Sequence, residues 1–189
     1  MNRRTFMRGL FASAAGAAIA SAPDLATPAE AHSIARKWRP QRVRHRFGYA
    51  PGTIVVDPRQ RFLYLIESRR TARRYGVGVG RAGLAFQGSG TIARKAKWPR
   101  WTPTRNMIRR EPEKYARYAD GLAGGPNNPL GARALYLYRN GRDTYYRIHG
   151  TNQPRSIGRA VSSGCIRMLN AHVADLYNRV PIGTRVVVL

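Results

Sequence analysis

The sequence predicts a single, mainly β domain with short helices. Three observations carry this expectation: short runs of β-branched and aromatic residues recur along the chain, turn signals separate them, and a clear helical apolar period occurs only near the C-terminus. With 189 residues and 43% apolar content, the chain can build one hydrophobic core.

Residues 53–56 and 61–67 are apolar, β-branched or aromatic runs separated by Asp57-Pro58-Arg59-Gln60, and are expected to form a hairpin. Residues 75–79 and 91–96 continue the strands. Residues 109–119 place Glu111, Lys114, Tyr115 and Tyr118 at helical spacing, which predicts a short surface helix. Residues 121–128 form a loop of glycine, proline and asparagine. Residues 134–138 and 144–149 flank Asn140-Gly141, a strong tight-hairpin signal. Residues 169–180 set Val173, Leu176, Tyr177 and Val180 on one helical face, and residues 184–189 give a last strand.

The N-terminus reads as a twin-arginine export signal. Asn2-Arg3-Arg4-Thr5-Phe6-Met7-Arg8 precedes a mildly apolar alanine and glycine stretch, and Ala29-Glu30-Ala31 supplies a small-x-small cleavage site. The apolar part, residues 10–22, is shorter than the roughly 18 residues a membrane-spanning helix requires, so no stable span is expected once the signal is removed. The expected organisation is therefore a signal over residues 1–31, a basic linker or arm over 32–50, and the folded domain over 51–189, in the periplasm. The arm carries Arg36, Lys37, Arg39, Arg42, Arg44 and Arg46 and no acid.

Lys and Arg number 34 against 9 Asp and Glu, a net charge of +25, and only Lys37, Lys95, Lys97 and Lys114 are lysines. The arginine fork matches carboxylate and phosphate geometry, so an anionic polymer is the natural partner: nucleic acid, a membrane surface or an acidic wall polymer. Charge alone does not choose among these, although export disfavours nucleic acid. The one cysteine, Cys165, excludes an internal disulfide and any zinc site built on two or more thiolates.

Gly78-Val79-Gly80-Arg81-Ala82-Gly83 matches the dinucleotide-binding pattern G-x-G-x-x-G, but no helix pattern follows it and no acid stands near position 103. A glycine-rich strand and turn that packs closely or borders a cleft is the better reading. His32 and His45 belong to the N-terminal segment, and His172, three residues before Asp175 on a helix, is expected in a surface pair. No His-x-x-x-His pattern occurs; neither a metal nor a cofactor is expected.

The chemistry points to His149 and Cys165. His149 ends a predicted strand, and a loop containing Pro154 and Gly158 returns the chain to Cys165. A thiol needs a nearby base or a positive environment before it is a good nucleophile; His149 offers the first, Arg159 and Arg167 the second. Gly164 permits the close backbone approach that an oxyanion-binding amide needs. Taken alone, a cysteine and a histidine also fit a buried structural thiol beside an unrelated imidazole.

The run His149-Gly150-Thr151, Pro154, Ser156-Ile157-Gly158, Ser162-Ser163-Gly164-Cys165-Ile166-Arg167-Met168 and Asn170 resembles the active-site signature of the L,D-transpeptidase family, the YkuD-type catalytic domain. Upstream, residues 53–65, the set Phe86, Gly88, Ile92, Trp98, Pro99, Trp101, Thr102, Pro103 and Met107, and Asn128-Pro129-Leu130-Gly131 resemble the family as well. The resemblance implies β-sandwich-like sheets with short helices and a cysteine acyltransferase. Cys165 would be the nucleophile, and His149 its activating base, oriented by the Gly150 carbonyl. Arg167, Ser162, Ser163, Gly164 and Trp98 would line the substrate site. Many members carry a histidine where this chain has Ser163. The implied partners are peptidoglycan tetrapeptide stems as donor and acceptor, with carbapenem β-lactams as inhibitors. Alternatives that stay open are attachment of a protein to peptidoglycan, exchange of D-amino acids, hydrolysis, a non-catalytic wall-binding protein on the same fold, and a nucleic-acid binder should the signal be false.

Overall fold

The computed structural model describes residues 34–189; the expected export signal and His32 lie outside the described residues. The strands are β1 (Gln41–Arg44), β2 (Ile54–Asp57), β3 (Phe62–Ile66), β4 (Thr71–Gly76), β5 (Val79–Gly80), β6 (Gly88–Lys97), β7 (Arg133–Arg139), β8 (Arg142–His149), β9 (Ala160–Ser162), β10 (Ile166–Arg167) and β11 (Arg185–Val188). The helices are α1 (Arg105–Arg110), α2 (Pro112–Tyr115) and α3 (Asn170–Arg179). Nine strands share one sheet in the order β1-β4-β3-β2-β11-β6-β7-β8-β10, while β5 and β9 pair separately. The mainly β, single-domain expectation is met. Instead of separate sheets, one continuous sheet carries most of the strands.

The C-terminal strand makes the sheet continuous. β11 runs parallel to β2, with Val186 opposite Ile54, and antiparallel to β6, with Val187 opposite Ser89. Strands covered on both faces read as unbroken apolar runs, and Ile54-Val55-Val56 and Val186-Val187-Val188 are both of this kind and all buried. One face of the sheet packs Ile54, Leu63, Leu135, Leu137 and Ile148 against Val173, Leu176 and Val180 of the α3 region. Lys95 fastens that helix from β6, donating to the carbonyls of Tyr177 and Val180, both at 2.7 Å, where a helix C-terminus leaves carbonyls unpaired.

The expected hairpins are present. β2 and β3 pair antiparallel across the turn at Asp57, whose Oδ1 accepts from the Arg59 and Gln60 amides. β7 and β8 turn through Asn140 (φ 50°) and Gly141 (φ 74°), the left-handed pair that a type I′ turn demands. The single helix expected over 109–119 is instead the end of α1, the short α2 and a 3-10 turn over Ala116–Tyr118. Glu111 breaks the first, and Pro112, which has no N–H to give, starts the second.

Two sequence expectations are corrected. The composition of residues 32–50 suggests a linker or arm, but within it Gln41–Arg44 pairs with β4 as the sheet's edge, Val43 opposite Ala72. Val43, Phe47 and Tyr49 pack against a second apolar cluster around Val55, Tyr64 and Ile66, while Arg42, Arg44 and Arg46 alternate outward. The spacing of His172 and Asp175 suggests a surface pair, yet His172 is buried beside the Tyr75 ring. Asp175 instead accepts from the Tyr75 hydroxyl at 2.6 Å and from Arg179.

Candidate active site

β8 and β10 are parallel neighbours at the sheet edge, with Ile166 opposite Ile148 and Arg167 opposite His149. Register thus brings the strand that ends in His149 beside the one that Cys165 introduces. His149 is buried, and its Nδ1 lies 2.5 Å from the Gly150 carbonyl oxygen. A carbonyl can only accept, so Nδ1 carries the proton and Nε2 keeps the lone pair that a base requires.

The approach to Cys165 is shaped by an irregularity in β8. Tyr136 pairs with Arg147, but Tyr138 pairs with Asp143, so β8 bulges between them. Tyr145, within the bulge, has φ 61°, a conformation that L side chains rarely adopt. Short bonds hold it there: the Tyr145 amide donates to Asp143 Oδ1 at 2.8 Å, Thr144 Oγ1 donates to the Leu137 carbonyl at 2.6 Å, and Arg147 grips Asp143 with both terminal nitrogens at 2.7 and 2.8 Å. The bulge aims the Tyr145 carbonyl at Cys165 Sγ, 3.9 Å away, and brings the Arg147 amide to the sulfur.

The loop from Gly150 to Gly164 lies on the glycine-rich stretch that resembles a dinucleotide motif. The Gly158 amide donates to the Val77 carbonyl, Val79 to Arg159, Arg81 to Ser162, and Gly78 and Arg167 exchange both backbone bonds. A methyl group on Gly78 would fall 2.6 Å from the Ser156 carbonyl, and one on Gly80 2.8 Å from Gly164 Cα. The glycines therefore permit close backbone packing beneath the nucleophile, as the sequence reading favoured. After Gly83 the chain passes to β6 and not to a helix.

Burial dominates the electrostatics. It lowers His149 to about 3; Arg167 and Arg147 lower it further, and the Gly150 bond opposes them. Burial likewise raises the Cys165 thiol, against the Arg147 amide and the charges of Arg147 and Arg167, which favour the thiolate. At rest the thiol and the imidazole are both neutral, and both feel the same two guanidinium groups. Such a site can attack a carbonyl carbon with the thiol proton passing to Nε2 as the new bond forms.

The sequence-predicted residues separate into several roles. Cys165, His149, Gly150 and Arg167 come together, and Arg167 donates to Gln153 Oε1 at 3.0 Å. Ser162 is buried and braces the loop: its hydroxyl donates to the Cys165 carbonyl at 2.6 Å and accepts from the Gly164 amide at 3.2 Å. That occupies the Gly164 N–H expected to face an oxyanion. Gly164 itself is required, since at φ 128° a methyl would meet the Leu84 carbonyl at 2.5 Å and the Tyr146 ring at 2.6 Å. Ser163 is half-buried in the same loop. Trp98 lies at the end of β6, its amide donating to Ala132, while Trp101 packs edge-on against Tyr115 and Tyr118. Arg159, expected to act on the thiol, lines a cavity of about 410 Å³ with Gln153, Pro154, Arg155, Ser156 and Val161. Arg147 acts on the sulfur instead. Sequence reasoning missed it, together with Asp143 and Tyr145, because their roles arise from a bulge that carries no glycine. Among the described residues, no three His, Cys, Asp or Glu side chains cluster as metal ligands would.

Comparison with known proteins bears on this geometry. A model of the L,D-transpeptidase catalytic domain (YkuD) matches residues 51–188. The "Probable L,D-transpeptidase ErfK/SrfK" of Escherichia coli is 38% identical over 144 residues, 73% of this chain, and the match spans 44% of that relative's length. A protein of Fuscovulum blasticum, named as an L,D-transpeptidase of the ATP synthase subunits region, is 36% identical over 100% of this chain and 98% of its own. A crystal structure from Brucella melitensis, described as a probable carnitine operon oxidoreductase, is 58% identical with a TM-score of 0.57, covering 85% of this chain and 99% of that one.

Proposed function

The chain belongs to the L,D-transpeptidase family, and from that premise we propose that it is an exported cysteine acyltransferase that cross-links peptidoglycan stems. The observation that carries this reading is the Nδ1–H bond from His149 to Gly150, which leaves Nε2 as the base at the end of the strand paired with the one that Cys165 introduces.

In the first half-reaction Cys165 Sγ attacks the carbonyl of the third residue of a tetrapeptide stem. The S–C bond forms, the thiol proton passes to His149 Nε2, and collapse of the tetrahedral intermediate breaks the amide bond. His149 returns the proton to the leaving nitrogen, and terminal D-alanine departs. The acyl group remains on sulfur as a thioester. In the second half an amine of another stem attacks that thioester, His149 takes its proton, and the thiol is regenerated with no external energy source. Arg167 beside the nucleophile, and Arg155 and Arg159 on the adjoining cavity, suit a donor and an acceptor that both carry carboxylates, which favours a stem over water as acceptor.

The twin-arginine pattern and the small-x-small site support removal of residues 1–31 and a periplasmic location. Carbapenems, whose strained carbonyl can acylate a thiol, are the expected inhibitors. Incubation with disaccharide-tetrapeptide and mass analysis of the products tests the reading. A cross-linked dimer with loss of D-alanine is expected, and Cys165→Ala abolishes it. Turnover that persists undiminished in Cys165→Ala would overturn the mechanism.

A further inference from the structure

Trp38 lies N-terminal to the stretch that matches the family, yet it touches the loop joining the two reacting residues. We propose that Trp38 is a positioning residue for acyl transfer, so that the segment preceding residue 51 is a working part of the catalytic domain. The inference rests on the acyl-transfer reading above.

A methyl on Gly158 would fall 2.5 Å from Trp38 Cζ2 and 2.7 Å from Cε2, which places the indole directly against the loop backbone. On its other side Trp38 closes on β4, where a methyl on Gly76 would fall 2.7 Å from Trp38 Cβ. The indole also packs on Phe62 at 5.1 Å between ring centres, and Arg74 covers the Phe62 ring at 4.2 Å. Two glycines are therefore spent on seating one tryptophan, and the seat at Gly158 has a positive φ of 81° as well. The segment is anchored by β1 and by Gln41, which donates to the Arg36 carbonyl and accepts from Arg74.

The contact leads towards the sulfur. Gly158 donates to Val77, Arg159 accepts from Val79, and Ser162 accepts from Arg81, so the pinned loop is bonded along the glycine-rich stretch, with one register shift between Val79 and Gly80. Ser162 then holds the Gly164 amide and the Cys165 carbonyl. The same loop presents Arg155 and Arg159 to the cavity that Gln153, the acceptor of the Arg167 bond, also lines. A displacement at Gly158 would move first the arginines that the loop presents to the substrate, while the Ser162 bonds still hold the nucleophile's backbone; misplacement of about 1 Å is enough to cost catalysis heavily.

The test uses the full chain with Trp38→Ala and Trp38→Phe, assayed well below their melting temperatures. Trp38→Ala is expected to lower kcat/KM for disaccharide-tetrapeptide by about tenfold or more, with KM rising. Alkylation of Cys165 by iodoacetamide, a probe too small to need the loop's arginines, should stay within about twofold. Trp38→Phe, which keeps a ring over Gly158, should recover most of the loss. A Trp38→Ala rate within about twofold of wild type would overturn the proposal, as would a loss that merely follows the unfolded fraction. Should Trp38→Ala fail to fold, hydrogen exchange of Trp38→Leu decides: the Gly158 and Val79 amides must exchange about tenfold faster while those of β2 and β11 do not. If wild type itself turns over no stem, the functional reading fails; the exchange result still stands or falls on its own.

Discussion

Asn170 offers the sharpest test of how the site is held. Its Oδ1 accepts from the Ala132 amide at 3.0 Å and from the Thr151 amide at 3.2 Å, joining the first residue of α3 to the start of β7 and to the turn after His149. The residue is buried, and methyl groups on Gly131 or Gly150 would collide with the same oxygen. Asn170→Ala leaves two buried N–H groups without an acceptor. Each orphaned donor costs about 1–3 kcal/mol, giving roughly 2–6 kcal/mol; entry of a water into the vacated space favours the lower half, about 3 kcal/mol. For a domain of this size that corresponds to a melting temperature lower by roughly 6–12 °C. Urea unfolding of the full chain followed by circular dichroism measures the difference, with Asn106→Ala as control. Asn106 is exposed and makes a single bond to Arg109, so its loss should stay within about 0.5 kcal/mol. An Asn170→Ala variant as stable as the control, with an unchanged denaturant slope, would refute the reasoning.

Two further outcomes follow from the buried ionisable groups. His149 is lowered to about 3 and His172 to about 4, each by burial first, against an ordinary value of about 6.5. The unfolded chain therefore binds protons that the fold refuses between pH 6.5 and about 4, and stability falls as pH falls through that window, by about 2 kcal/mol for each histidine at pH 5 relative to pH 8. His172→Gln should remove roughly half of this slope in urea titrations at the two pH values; an unchanged slope would contradict the burial of His172. The rate of Cys165 alkylation by iodoacetamide should rise with a midpoint above that of a free cysteine, because burial outweighs the two arginines, and Arg147→Met should move it higher still. A midpoint near or below pH 7 would mean that a thiolate is preformed.

Legibility in the sequence followed the range over which each feature is determined. The β7–β8 hairpin could be read because Asn140-Gly141 supplies two positive φ angles locally, and α3 because its apolar face repeats at helical spacing. The nucleophile and base stood out by residue type and by the motif around them. The placement of β11 between β2 and β6 could not be read, since nothing within Val186-Val187-Val188 names its partners. Residues 42–49 did show alternation, with Val43, Phe47 and Tyr49 against Arg42, Arg44 and Arg46, but the charge hid the apolar side that packs on Tyr64 and Ile66. Arg147 acquires its place at the sulfur through the bulge at Tyr145. The bulge is stabilised by side-chain bonds from Asp143 and Thr144, which are visible only once β7 lies alongside.

The resting charge state has a consequence for when the nucleophile is made. Cysteine sites that hold a ready thiolate place it at a helix N-terminus or beside a free cation. Cys165 instead introduces a short strand, Arg147 spends its fork on Asp143, and Arg167 donates to Gln153. Burial then decides in favour of the thiol, and the same arginines oppose an imidazolium at His149. Deprotonation in advance is thus disfavoured at both partners. It becomes favourable as the attacked carbonyl oxygen takes up negative charge and a substrate carboxylate enters the field of the guanidinium groups, compensating the imidazolium that forms. Susceptibility of a thiol to oxidation follows its thiolate character, so a site that ionises only with substrate in place would protect the chain's single cysteine in the oxidising compartment proposed for it.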